Sequence, residues 1–205
     1  MKKINLKTWN RAEQFQHFNK MFDPYFGVTI PFDVTKAYQF SKENEISFFG
    51  KYLHACMQAM NSVDNLKYRI IDNEVVAYDI IHASATIMRK DKTFGFSFIH
   101  FDENLDVFLK NLESEKSRIE SSTNLFPERN GLDCIHCSAL PWLNFSGHKE
   151  PFFGEKDSVP KIAFSKVIRE NKKLSMNVAI TVNHTLVDGY HVGLFSEKFQ
   201  YFLNQ

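Results

Sequence analysis

Residues 183 to 191 read NHTLVDGYH, which sets a histidine, an aspartate four residues on and then a glycine close together. They follow a strand-like run, LSMNVAITV, and precede an amphipathic one, VGLFSEKFQYFL. Imidazole is the side chain best suited to take a proton near neutral pH. Asp188 is near enough in a turn to act on His184, and Gly189 would permit a tight turn or positive φ. The same residues also make an ordinary capped strand-to-helix junction, with Asp188 as N-cap and His184 filling space. Other chemistries are poorly supported. His191 and Asp188 are neighbours, but no histidine pair has zincin spacing, so no metal is expected. There is no GxSxG elbow, and no cysteine sits in a helix-opening context.

The elements that must position these residues follow from periodicity. A short polar helix is predicted near Trp9 to Phe18, and FGVTIPFDV (26–34) reads as a strand. VTKAYQFSKENE reads as a helix, and SFFGKYLHACMQAMNSV as a longer, more buried one. Strands follow in YRIIDNEVVAYDIIHASATIM, with DNE as a hairpin turn, and in TFGFSFIHF. DENLDVFLKNLESEKSRIESS is an amphipathic helix with Asp102 and Asn104 in N-cap-like positions. CIHCSAL, KIAFSKVIREN and KLSMNVAITVNH are strands, the last two joined at RENKK, and the chain ends in a helix. Interleaved helices and hairpins predict an α/β layered domain with a mixed sheet.

Composition sets the outer bounds. The 205 residues fit one domain with a real core, and 21 of them are phenylalanine, enough for a thick core, apolar pockets or a subunit interface. Lys+Arg (25) and Asp+Glu (24) nearly cancel and no basic stretch is dense, so no nucleic acid partner is expected. MKKINLKTWNRAEQF has no apolar core after its lysines and does not read as a signal peptide, and no apolar run is long enough to cross a membrane. Cys56, Cys134 and Cys137 are odd in number. The single CxxC lies in strand sequence, so buried reduced thiols in the cytoplasm are expected.

Four stretches together resemble one family. NHTLVDGYH is similar to the HHxxxDG-type signature of chloramphenicol acetyltransferases, and more loosely to that of 2-oxoacid dehydrogenase acyltransferases. CSALPWLNF (137–145) resembles the SALPWxxF-type segment of the chloramphenicol enzymes. TWNRAEQFQHF resembles their W-x-R-x-E-x-F start, and TNLFPE their K-L-F-P turn. The four lie in the family's order, and the likeness covers nearly the whole chain.

The resemblance implies a CoA-dependent acyltransferase fold over residues 1–205. This is a two-layer sandwich of a mixed β-sheet and packed helices, assembled as a trimer with active sites between subunits. It implies acetyl-CoA as co-substrate and a small hydroxyl acceptor, chloramphenicol in the family. His184 matches the general base and Ser138 the serine that hydrogen-bonds the tetrahedral oxyanion. Asp188 and Arg11 match a salt-bridged pair that fixes the imidazole. Trp142 and Lys166 match residues near the pantetheine arm and 3′-phosphate of CoA. Phe18, Phe94 and Phe126 match acceptor-pocket aromatics. Taken singly, the serine reads as a strand residue bonded to backbone, Trp142 and the phenylalanines as core, and Lys166 and Arg11 as surface charges.

Departures from the family pattern gather near the acceptor. His17 stands for a usual aromatic, and Pro24 and Phe96 occupy positions usually smaller or different. Ala163 replaces a threonine, Asn183 the first histidine of the doublet, and Val187 a cysteine. Two other outcomes stay open: transfer to a different hydroxyl or a dihydrolipoyl thiol, and a non-catalytic ligand-binding role. The chain shows no lipoyl module or Ala/Pro linker, and it keeps the base.

Overall fold

The computed structural model describes residues 1–151 and 157–205. Its main sheet has six strands in the order β2-β9-β8-β7-β5-β6. These are β2 (Tyr25–Asp33), β5 (His82–Met88), β6 (Phe94–Phe96), β7 (Cys134–Ala139), β8 (Lys161–Glu170) and β9 (Lys173–Asn183). β5, β7 and β8 run parallel and the other pairs antiparallel, so the sheet is mixed as expected. The remaining elements are β1 (Lys2–Lys3), β3 (Tyr68–Ile71), β4 (Glu74–Ala77), α1 (Ala12–Phe18), α2 (Thr35–Glu43), α3 (Phe48–Asn61), α4 (Leu105–Glu120) and α5 (Gly189–Leu203).

The period-two pattern of β9 sets the layers. Leu174, Met176, Val178, Ile180 and Val182 are buried against Leu53, Met57, Phe195 and Phe199 of α3 and α5. α3 is capped by Ser47, whose hydroxyl accepts the Gly50 amide at 3.2 Å. Gly50 permits the close approach of α4, since a Cβ there would come within 2.3 Å of Leu109 Cδ2. α4 is capped by Asn104, which accepts from the Asp106 and Val107 amides.

The structure refines the sequence expectations at three points. The hairpin β3–β4 leaves the main sheet and joins β1 in a separate three-stranded one. Its turn residues, Asp72 and Asn73, have φ of 50° and 61°, the primed turn that suits a two-residue hairpin. TFGFSFIHF is a strand only over Phe94–Phe96. Beyond it the Phe98 amide donates to the Glu115 carboxylate at 2.7 Å instead of to a ladder carbonyl. Gly189 is the first residue of α5, has no positive φ, and a Cβ would meet nothing within 4 Å, so the backbone does not demand glycine there.

Two buried arginines tie loops to strands with no carboxylate partner among the described residues. Arg69 is fully buried and donates to the carbonyls of Leu66, Tyr68, Leu132 and Cys134 at 2.6–2.9 Å. Burial lowers its pKa to about 10, so it stays protonated at neutral pH. Arg89 donates to Ile119 and Ser122 at the C-terminal end of α4, and to Phe94 and Asn124. A cation suits that helix end, where carbonyls lack helical partners.

Candidate active site

His184 follows β9 directly. Its amide donates to the Pro24 carbonyl at 2.8 Å, continuing the β2–β9 pairing by one residue. Asn183 shapes the turn: its Oδ1 accepts the Thr185 amide at 2.9 Å and its Nδ2 donates to the Asp157 carbonyl at 3.0 Å. The imidazole stacks on Phe18 with centroids 3.9 Å apart and lies against Phe26 at 4.7 Å. Phe26 has the alternation of a strand residue and no motif to mark it, so sequence reasoning passed over it.

Hydrogen bonding selects the tautomer of His184. Nδ1 lies 3.1 Å from the Val187 carbonyl, which can only accept, and 3.2 Å from Asp188 Oδ1. Nδ1 therefore carries the proton and donates it. In the neutral ring the lone pair is on Nε2, which has no hydrogen-bond partner among the described residues. The side chain is about one-third exposed.

Arg11 and Asp188 form the expected pair. Both Arg11 Nη atoms donate to the Asp188 carboxylate, and Nη2 also donates to the His184 carbonyl at 3.3 Å. Burial alone would raise the Asp188 pKa, but the guanidinium outweighs it and holds the carboxyl below its ordinary value. Arg11 caps no helix with its side chain but precedes α1, so the bond joins α1 to the N-cap of α5. At that cap the Asp188 amide donates to His191 Nδ1 at 2.9 Å, the reach-back of a capping box with histidine in the usual Glu/Gln place.

Ser138 is in another part of the same sheet. It pairs with Ala163, which pairs with Ala179, five residues before His184. Two strand spacings and five residues of rise put the Ser138 and His184 α-carbons about 15–20 Å apart in one chain. Trp142 and Lys166 lie at the Ser138 end, both exposed. There the Leu140 amide donates to Phe164 and the Lys166 amide to Leu143, fixing the turn after β7 against β8.

Phe94 and Phe126 also belong to the Ser138 half. Cys137 pairs with Ala85, so Ser138 follows at the level of Thr86, which pairs with Phe96. Phe96 stacks on Phe126 at 5.2 Å and meets Phe94 edge-on at 5.5 Å. Phe94 and Phe126 are about half exposed, at 46% and 54%. Of the predicted acceptor residues only Phe18 touches His184.

A cavity of about 170 Å³ opens beside Phe26, walled by Tyr25, Gly27, Lys161, Thr181, His148 and Glu150 among others. Lys161 is buried and paired with Asp157 at 2.8 Å. Nothing in the sequence reading marked this pair. The three cysteines are free and buried, as expected, and burial pushes the Cys134 thiol up to about 12. Among the described residues, no group of His, Cys, Asp or Glu is placed to hold a metal, and no helix is long and apolar enough to cross a membrane.

The fold agrees with that of acyltransferases. A solved chloramphenicol acetyltransferase superposes with a TM-score of 0.86 at 27% identity, covering 98% of this chain and 99% of that one. A dihydrolipoamide acetyltransferase of Azotobacter vinelandii shares the fold at a TM-score of 0.71 and 10% identity, over 95% of this chain and 86% of that one. The molecule is an acyltransferase by class. Within that class the chain belongs to the chloramphenicol acetyltransferase family, whose model matches residues 1–200. Chloramphenicol acetyltransferase 3 of Escherichia coli is 27% identical, over 98% of this chain and 96% of its own length.

Proposed function

We propose that the protein acetylates a hydroxyl of chloramphenicol from acetyl-CoA by direct transfer. The observation that carries this is the contact of His184 Nδ1 with the Val187 carbonyl at 3.1 Å, which leaves the lone pair of the neutral ring on Nε2 of a side chain about one-third exposed. The acceptor oxygen attacks the thioester carbonyl as its proton passes to Nε2. Ser138 donates to the oxyanion of the tetrahedral intermediate, and collapse expels the CoA thiolate, which takes the proton back. Names of relatives that are chloramphenicol acetyltransferases support the acceptor.

The chain acts as one domain, and His184 meets Ser138 only across a subunit boundary, in a trimer. The separation of the two residues within one chain supports this, because a base and an oxyanion donor about 15–20 Å apart cannot serve one carbon. Trp142 and Lys166 contact CoA from the Ser138 side. Phe94 and Phe126 wall the acceptor from that side, and Phe18 from the His184 side. A cytoplasmic setting fits three reduced thiols.

Lys161, a buried cation in the cavity wall held by Asp157, favours a second reading, transfer to a more polar small alcohol than chloramphenicol. Purified protein with acetyl-CoA and either chloramphenicol or a panel of alcohols is expected to release CoA thiol and give an O-acetyl product. Turnover with a polar alcohol but none with chloramphenicol would select the second reading. No turnover with any hydroxyl or dihydrolipoyl acceptor would leave a non-catalytic family member.

A further inference from the structure

We propose that His191 is a positioning residue for transfer, acting on His184 through the single peptide unit that joins Val187 to Asp188. This rests on the proposed role of His184 as base. The Val187 carbonyl accepts from His184 Nδ1 at 3.1 Å, and the Asp188 amide donates to His191 Nδ1 at 2.9 Å. Those two groups are the C=O and N–H of one peptide. The chain has no cis peptide among its described residues, so the two groups point to opposite sides of the unit and the rings lie at its two ends.

The result is one hydrogen-bonded line: His184 Nδ1–H to C=O, and N–H to His191 Nδ1. Each bond polarises the peptide in the sense that strengthens the other. With its amide proton drawn toward His191, the carbonyl accepts better, which holds the His184 ring and keeps its lone pair on Nε2. The two imidazoles must then be opposite tautomers, His184 protonated on Nδ1 and His191 on Nε2. The salt bridge fixes the same turn by a different route, through the Asp188 side chain and the His184 carbonyl.

The line works only while His191 is neutral, because a protonated Nδ1 would face the Asp188 amide donor to donor. The groups around it are the Arg11 guanidinium before α1, the Asp188 carboxylate, and the ring of Tyr190 on its own helix. Burial first, then Arg11, hold its pKa below 6.5, against the pull of Asp188. At neutral pH the acceptor is therefore in place.

The test compares His191→Leu, which removes the acceptor, with His191→Gln, which supplies the usual capping-box acceptor and does not titrate. His191→Leu is expected to lower kcat about tenfold with the KM for acetyl-CoA unchanged, and His191→Gln to recover most of it. The acid limb of log kcat against pH is expected to steepen beyond slope one in wild type, as the second imidazole protonates below the ordinary value of about 6.5, and to hold slope one in the Gln variant. Ring ¹⁵N spectra of the wild-type protein read the tautomers without turnover. A proton on Nδ1 of His191, or a Leu variant with wild-type kcat and wild-type pH profile, would overturn the proposal. If wild type transfers no acetyl group, or His184→Ala stays active, the base reading fails, and the tautomers still decide the peptide bridge.

Discussion

At the scale of single residues, the proposed chemistry divides between a base and an oxyanion donor, and each loss would have its own kinetic mark. His184→Ala is expected to lower kcat by about 10² to 10⁴-fold with an unchanged melting temperature. Ser138→Ala is expected to cost roughly 10²-fold, mostly in kcat, since its proposed bond to the oxyanion would strengthen as negative charge forms. Steady-state rates against both substrates separate the two cases, and a serine change that raises KM alone would make Ser138 a ground-state contact. Of the proposed site, His184, Asp188, Arg11 and Ser138 stand out in the sequence because each sits in a short motif, and the structure shows the contact between Arg11 and Asp188. Phe26, Lys161 and the Val187 carbonyl do not stand out, because their roles depend on strand register or on where a backbone group points.

Among elements, the decisive link is the one between α1 and α5. Arg11 has a side chain only 9% exposed, so losing Asp188 would strand a buried cation, and losing Arg11 would free a carboxylate at the helix cap. Arg11→Ala and Asp188→Asn are each expected to lower activity and melting temperature, and the double change to do less harm than their sum. Strictly additive effects in that cycle would show that the bond contributes no coupling. The native Asp188 pKa is depressed, so its stabilisation is present above the unfolded value near 3.8 and fades as pH falls through the native one. Most elements could be read from periodicity: β8, β9 and all the main helices fall within a few residues of their predicted bounds. The small sheet of β1, β3 and β4 could not, because nothing in an alternating pattern says which sheet a hairpin joins.

For the whole molecule, the distance between Ser138 and His184 turns an enzymatic question into one of assembly. A three-fold ring of identical heterologous contacts would bring the His184 edge of one chain to the Ser138 end of the next. Light scattering is expected to give about three times the 24.0 kDa chain mass in the active fraction. Two inactive variants, His184→Ala and Ser138→Ala, unfolded and refolded together, are expected to regain part of the activity. Mixed trimers create some boundaries with both residues intact. Mixed trimers that form yet remain inactive would place both residues in one subunit's site.

The pairing of β2 with β9 also has a consequence for how the protein is made. Tyr25 and Asn183 are ladder partners, and Arg11 holds a carboxylate 177 residues further along. A ribosome delivers the N-terminal part first, so β2 waits as an unpaired edge while nearly everything between is synthesised. Such distant partners make closure slow, since the loop entropy is lost before the contacts form. Nascent chains would therefore carry an exposed strand until β9 arrives, and folding should depend more on chaperone supply than the stability of the finished sheet implies.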